Sequence, residues 1–192
     1  MNTTSSSTPI DPETLRWSET LHDRSHVLIR PINKQDKAAE RDFINGLSAE
    51  AKRYRFLGQM GSPSERMLDR FTDIDYVHDM AFVAVVQDDA RERIVGVSRY
   101  STDPAGKRCE CAVTVSDAWQ DKGLGTTLMR HLIAVARLQG VHTMYSIDSA
   151  ENLAMKDLAR FLGFRSRPDP DGRRALVDAT KNRLAVVSTA GR

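Results

Sequence analysis

The segment Gln120-Asp121-Lys122-Gly123-Leu124-Gly125-Thr126 has the residue types that an anion site needs. It joins the apolar run Cys109-Glu110-Cys111-Ala112-Val113-Thr114-Val115 to a stretch in which Leu124, Leu128, Leu132 and Val135 recur at helical spacing, with Gly140 as a stop. A helix entered here leaves its first backbone N–H groups unpaired and turns its positive dipole end outward. Two glycines let an anion reach the main chain without meeting a Cβ. The chemistry implied is the cradling of a pyrophosphate; an ordinary glycine-containing helix entry explains the same residues, because one G-x-G is common. Two phosphate motifs do not fit. Lys122 precedes the glycines, where a P-loop puts its lysine after them, and Leu128 stands where a dinucleotide fingerprint needs a small residue.

Glu110 is a lone carboxylate inside the apolar run. If buried, its carboxyl moves toward the range of a general base, which an amine nucleophile needs because an ammonium with a pKa of about 10.4 is unreactive near neutrality. The alternative is a glutamate on the solvent face of a half-exposed strand, alternating with two inward cysteines. Cys109 and Cys111, two apart in one strand, suit neither a disulfide nor a zinc quartet, and lack the elbow turn of a nucleophile. His22, His26, His78, His131 and His142 show no metal-ligand spacing, so no metal is expected. Lys52, Arg53, Arg55 and Arg66 form a basic cluster that reads first as a solvated face and second as a steering surface for acidic groups.

The elements that must position these residues are legible in outline. Val27 to Ile32 reads as a strand; Asn33 with Asp36 caps a helix carrying Ala39, Phe43 and Leu47; Ser48 caps a second helix through Phe56. Ser62-Pro63-Ser64-Glu65 opens a third with Pro63 at its first position, and Met67, Leu68 and Phe71 as its buried stripe. MAFVAVVQ, RIVGVSRY and CECAVTV then form an antiparallel meander. After the long helix come a strand over Val141 to Ile147, a helix from Asn152 to Leu162 ending at Gly163, and a last strand over Ala175 to Ala179. The class is α+β in a single domain over 26–180, after an unstructured Ser/Thr-rich arm over 1–25 and before a tail over 181–192.

With 192 residues the chain has room for one ordinary core. Apolar residues at 40% and charged residues at 28% exclude a disordered chain. A net charge of +2 gives no general nucleic-acid footprint. No window is long and apolar enough for a membrane span, and the N-terminus lacks the basic and apolar regions of a signal peptide, so the expected location is the cytoplasm, with no membrane or nucleic-acid partner.

QDKGLG resembles the Q/R-x-x-G-x-G/A pyrophosphate loop of the GNAT acetyltransferase superfamily, and Val27 to Phe164 is similar to that fold's order of elements. RPI near residue 30, GLSAEAKRYRF, DIDYVHDMAFVAV, IVGVSRY and AENLAMKDLARFLGF resemble more narrowly the acetyltransferase domains of bacterial Pat-type protein lysine acetyltransferases, which acetylate acyl-CoA synthetases. The resemblance implies a mixed, mostly antiparallel sheet flanked by helices on both faces, and acetyl-CoA as co-substrate. It implies that Val113, Thr114 and Val115 meet the pantetheine arm, and that Gln120, Lys122, Gly123, Leu124, Gly125 and Thr126 surround the pyrophosphate. Asn152 would contact the cofactor, though a helix cap explains it equally, and Glu110 would be the catalytic base. The expected acceptor is a protein lysine, the alternatives being a small amine or a non-catalytic acyl-CoA-binding module. One position departs: many members carry a thiolate-protonating Tyr four residues before the Gly-Phe pair, where this chain has Ala159.

Overall fold

In a computed structural model of the chain, which describes residues 11–88, 91–168 and 174–180, the apolar runs form one eight-stranded sheet. The strands are β1 (Trp17–Thr20), β2 (His26–Pro31), β3 (Asp79–Asp88), β4 (Arg91–Thr102), β5 (Arg108–Val115), β6 (Thr143–Ser149), β7 (Arg165–Pro168) and β8 (Arg174–Thr180). Their spatial order is β1-β2-β3-β4-β5-β6-β8-β7. Every neighbouring pair is antiparallel except β5 and β6, which a helical crossover makes parallel.

The helices are α1 (Lys37–Gly46), α2 (Ala49–Phe56), α3 (Glu65–Thr72), α4 (Leu124–Leu138) and α5 (Leu153–Phe161). They cover both faces. On one, Leu124, Leu128 and Leu132 of α4, with Leu162 following α5, pack on Phe82, Val95, Tyr100, Cys109 and Cys111. On the other, Phe43, Ile44, Leu47 and Leu68 of the α1–α3 region pack on Ile32, Val83, Ile94 and Val97. This is the expected α+β class. A Cβ on Gly96 of β4 would lie 2.9 Å from a Leu128 methyl and 3.1 Å from one of Leu124, so the missing side chain is what lets the first turns of α4 lie close against the sheet.

Three local expectations are corrected. Trp17 to Thr20 is not part of an unstructured arm but an edge strand: Trp17 stacks on His131 at 4.1 Å and meets Phe82 edge-on, and Glu19 accepts from His131 Nε2 at 2.7 Å. Tertiary contacts with α4 order a segment whose local composition carries no period. Ser64, not Ser62, caps α3 by accepting from the Met67 amide, which leaves Pro63 outside the helix. β7 has no counterpart among the expected strands. The expected tail over 181–192 lies outside the described residues, as do residues 169–173.

Beside the apolar layers the sheet holds a buried charge network. Arg30 grips both Asp36 oxygens, at 2.8 and 2.7 Å, and donates to Glu92 from Nη2 at 2.6 Å, tying β2 to the start of α1 and to β4. The Asp36 and Glu92 contacts raise the Arg30 pKa against the desolvation that lowers it. Removing one member leaves a buried charge without its partner. We therefore expect Asp36→Ala to lower the unfolding free energy by about 3–5 kcal/mol in urea denaturation. Asp157→Ala, in the exposed pair with Arg160, should change it by less than about 1 kcal/mol.

Candidate active site

The parallel pairing of β5 and β6 runs only from Arg108 with Thr143 to Glu110 with Tyr145; beyond that the strands diverge. The fork leaves one edge of β5 without a strand partner and opens a cavity of about 960 Å³. Its walls are Glu110 to Val115 of β5, Ser146 to Asp148 of β6, the start of α4, the start of α5 and the last turn of α2.

At one end of the cavity stands the first turn of α4. Its entry residue, Gly123, has φ +86° and no capping side chain. The first α4 amide with a backbone partner is that of Thr127, 3.1 Å from the Gly123 carbonyl. Among the described residues, the amides of Leu124, Gly125 and Thr126 have no hydrogen-bond partner, and all three residues line the cavity. The Leu124 side chain is buried in the core, so only its main chain is available. A Cβ on Gly125 would stand 3.6 Å from Leu158 and 3.7 Å from Val115, ordinary contacts, whereas one on Gly123 would lie 2.8 Å from the His22 ring.

Lys122 is placed differently from the expectation. Its Nζ lies 3.0 Å from Asp23 and 4.7 Å from the Trp119 ring centroid, and it does not line the cavity. The His22 amide donates to the Lys122 carbonyl at 3.1 Å, so the turn between β1 and β2 braces the loop from behind. Gln120 lines the cavity and donates to the Val115 carbonyl at 3.3 Å. Val113 and Val115 line it as well. Thr114 also belongs to the wall, but it is buried and its Oγ1 has no partner among the described residues. Asn152 accepts from the Met155 amide at 3.1 Å, which makes it the cap of α5 while it also lines the cavity.

At the other end stand two carboxylates. Glu110 is exposed, with its neighbours Cys109 and Cys111 buried, so of the two readings of this strand the structure has the alternating one, with Glu110 on the open face. It lines the cavity. The carboxyl with the environment expected of Glu110 is Asp148: burial raises its pKa, the Ser146 hydroxyl and Arg55 oppose that shift, and Glu110 adds to it. Burial pushes the Cys109 thiol up to about 12 and Cys111 well up, which makes both poor nucleophiles.

Two residues were missed as site residues. Asp148 carried a signal, a carboxylate at the end of an apolar strand. Arg55 was masked by its basic neighbours: Arg53 pairs outward with Glu151 at 2.8 Å and Lys52 donates to the Asn45 carbonyl, but Arg55 turns inward and lines the cavity. Ala159 is buried and lies outside the cavity wall, whereas Tyr54 lines it and donates to Glu50 at 3.0 Å. Among the described residues no cluster of His, Cys, Asp and Glu could hold a metal, and no helix is long and apolar enough to cross a membrane.

Unpartnered amides at one end, an open strand edge along the middle and carboxylates at the other end match the parts of an acyl-CoA, with its diphosphate, its amide-bearing arm and its thioester. The comparisons agree. The model of the acetyltransferase (GNAT) family matches residues 47–164. An acetyltransferase of Pseudomonas aeruginosa, PA5475, is 51% identical over 155 residues, 81% of this chain and 83% of its own length. The acetyltransferase Pat of Mycolicibacterium smegmatis is 28% identical over 111 residues, 57% of this chain and 33% of its own, so the chain spans about a third of that protein. In fold, the GNAT domain of Streptomyces lividans PAT superposes with a TM-score of 0.81 at 24% identity, over 88% of this chain and 99% of that one. YncA of Salmonella typhimurium, solved with its cofactor acetyl-CoA, gives 0.65 at 23% identity over 83% and 96%. The chain belongs to the GNAT family and is an N-acetyltransferase that uses acetyl-CoA.

Proposed function

We propose that the protein transfers acetyl from acetyl-CoA to a lysine side chain of a partner protein, with Glu110 as general base. The observation that carries this reading is that one cavity holds the free amides of α4 at one end and Glu110 with Asp148 at the other. The acceptor class rests on the resemblance to the Pat type, whose acceptors are acyl-CoA synthetases.

In this reading the diphosphate lies against the amides of Leu124, Gly125 and Thr126, where it supplies the acceptor oxygens those donors lack. Gln120 and Asn152 flank it. Lys122, held by Asp23, supports the loop rather than the ligand. The pantetheine arm runs along the open edge of β5 at Val113 and Val115. The substrate lysine enters as an ammonium, drawn by the carboxylates, and gives a proton to Glu110, directly or through water. The amine nitrogen then bonds to the thioester carbon, the C–S bond breaks, and the second nitrogen proton passes to the thiolate or to solvent. Backbone N–H near Val113 steadies the oxyanion.

A second reading makes Asp148 the base, favoured by its burial and raised pKa. A base works only deprotonated, so under that reading the rate is lost as pH falls through the raised value, at higher pH than an ordinary aspartate would give. Glu110→Gln should reduce kcat by about 10²- to 10⁴-fold with acetyl-CoA affinity unchanged. Near-normal turnover in Glu110→Gln together with its loss in Asp148→Asn would move the role to Asp148.

Gly125→Glu tests the diphosphate site with little strain, since its Cβ has room. Its carboxylate would occupy the amides, and calorimetry should show acetyl-CoA binding lost while the melting temperature is retained. Gly123 is the poorer choice, because its positive φ and the His22 ring make any side chain there a folding defect.

A further inference from the structure

Arg55 lies in the last turn of α2, half-buried, and lines the cavity. Among the described residues it makes no salt bridge and no side-chain hydrogen bond. Its neighbours are aromatic, the Phe56 ring centroid at 5.1 Å and that of Phe71 at 5.6 Å. Three other arginines in this part of the fold are matched, Arg30 with Asp36 and Glu92, Arg53 with Glu151, Arg99 with Glu40 at 3.2 Å, while Arg70 of α3, also in the cavity wall, makes no salt bridge among the described residues. Burial and the nearby Arg99 pull Arg55 down to about 10, while Glu40, Asp148 and Glu110 favour its charge, so it remains a cation at neutral pH.

A partly desolvated guanidinium with carboxylates in reach but none hydrogen-bonded to it keeps its donors unsatisfied until something arrives to pair with them. Its planar fork of donors suits a carboxylate held by two parallel hydrogen bonds. Arg55 lies within electrostatic reach of Glu110 and Asp148, and so at the reacting end of the cavity. The acetyl group and the pantetheine arm are uncharged, the diphosphate has its own donors at the far end on α4, and the ribose 3′-phosphate lies farther still from the thioester, beyond the diphosphate. The anion that meets Arg55 therefore comes with the acceptor.

We infer that Arg55 is a specificity residue that binds a carboxylate of the acceptor, in the same cavity as the amine that Glu110 and Asp148 receive. This rests on the acetyl-transfer reading above and narrows its acceptor to an amine that also carries a carboxylate. The shared chemistry has two sources: an acidic side chain beside the target lysine of a protein, or the α-carboxylate of a free amino acid.

The test uses the full chain with two panels, lysine peptides with glutamate or glutamine beside the lysine, and amino acids paired with their carboxamides. The expected result is a preference for the carboxylate member of about 10- to 100-fold in kcat/KM, the worth of a charged hydrogen-bonded contact, in the panel that holds the true source. In Arg55→Met the ratio should fall to near one through a raised KM for the carboxylate member, with Arg55→Lys between the two and the melting temperature unchanged. Equal use of acid and amide by the natural protein, or an equal loss on both members in Arg55→Met, contradicts the carboxylate role and leaves acetyl transfer standing. Absence of product from every member of both panels, with acetyl-CoA bound, contradicts the transfer reading as well.

Discussion

The account depends on three backbone amides with nothing to bond to. A helix N-terminus inside a protein normally borrows a side chain to satisfy its first donors. Among the described residues α4 has none: Gly123 enters in a left-handed conformation, Gly125 adds no bulk, and Lys122 is led away by Asp23. Donors left in this state are stabilised by an anion, and the helix dipole points the same way.

Their usefulness comes from what the sheet does nearby. A parallel pair of strands in an otherwise antiparallel sheet needs a crossover, and α4 is that crossover. The two strands stay together for three residue pairs and then part, so the open edge of β5 begins at the level of Glu110 and runs toward the α4 amides. Gly96 allows α4 to lie close, and the β1–β2 turn fixes the loop through His22 and Asp23. The expected arm is thus part of the site's support. On the other side, Arg53 and Tyr54 of α2 reach Glu151 and close the wall that carries Arg55.

Most of this frame could be read from the chain, because its signals are local. The Asn33–Asp36 capping box, the Ser48 cap, the three meander strands, the stop at Gly140 and the Asn152 cap all lie where the residue pattern puts them. The glycine-containing entry to α4 was legible for the same reason: glycine spacing and helix entry are properties of consecutive residues. What could not be read depends on contacts across the fold. Trp17 is ordered by His131, more than a hundred residues away. Whether Glu110 faces core or cavity is settled by which side of β5 the cysteines bury. Arg53 and Arg55 differ by two positions and look alike in sequence, yet one salt bridge to Glu151 takes the first outward while the second turns in.

The amides of Leu124, Gly125 and Thr126 can be followed directly by backbone NMR during titration with coenzyme A and, separately, with pantetheine, which lacks the diphosphate. The account predicts that all three shift downfield with coenzyme A, as hydrogen bonds to phosphate form, and stay in place with pantetheine. Saturable binding of coenzyme A with these three resonances unmoved would contradict it.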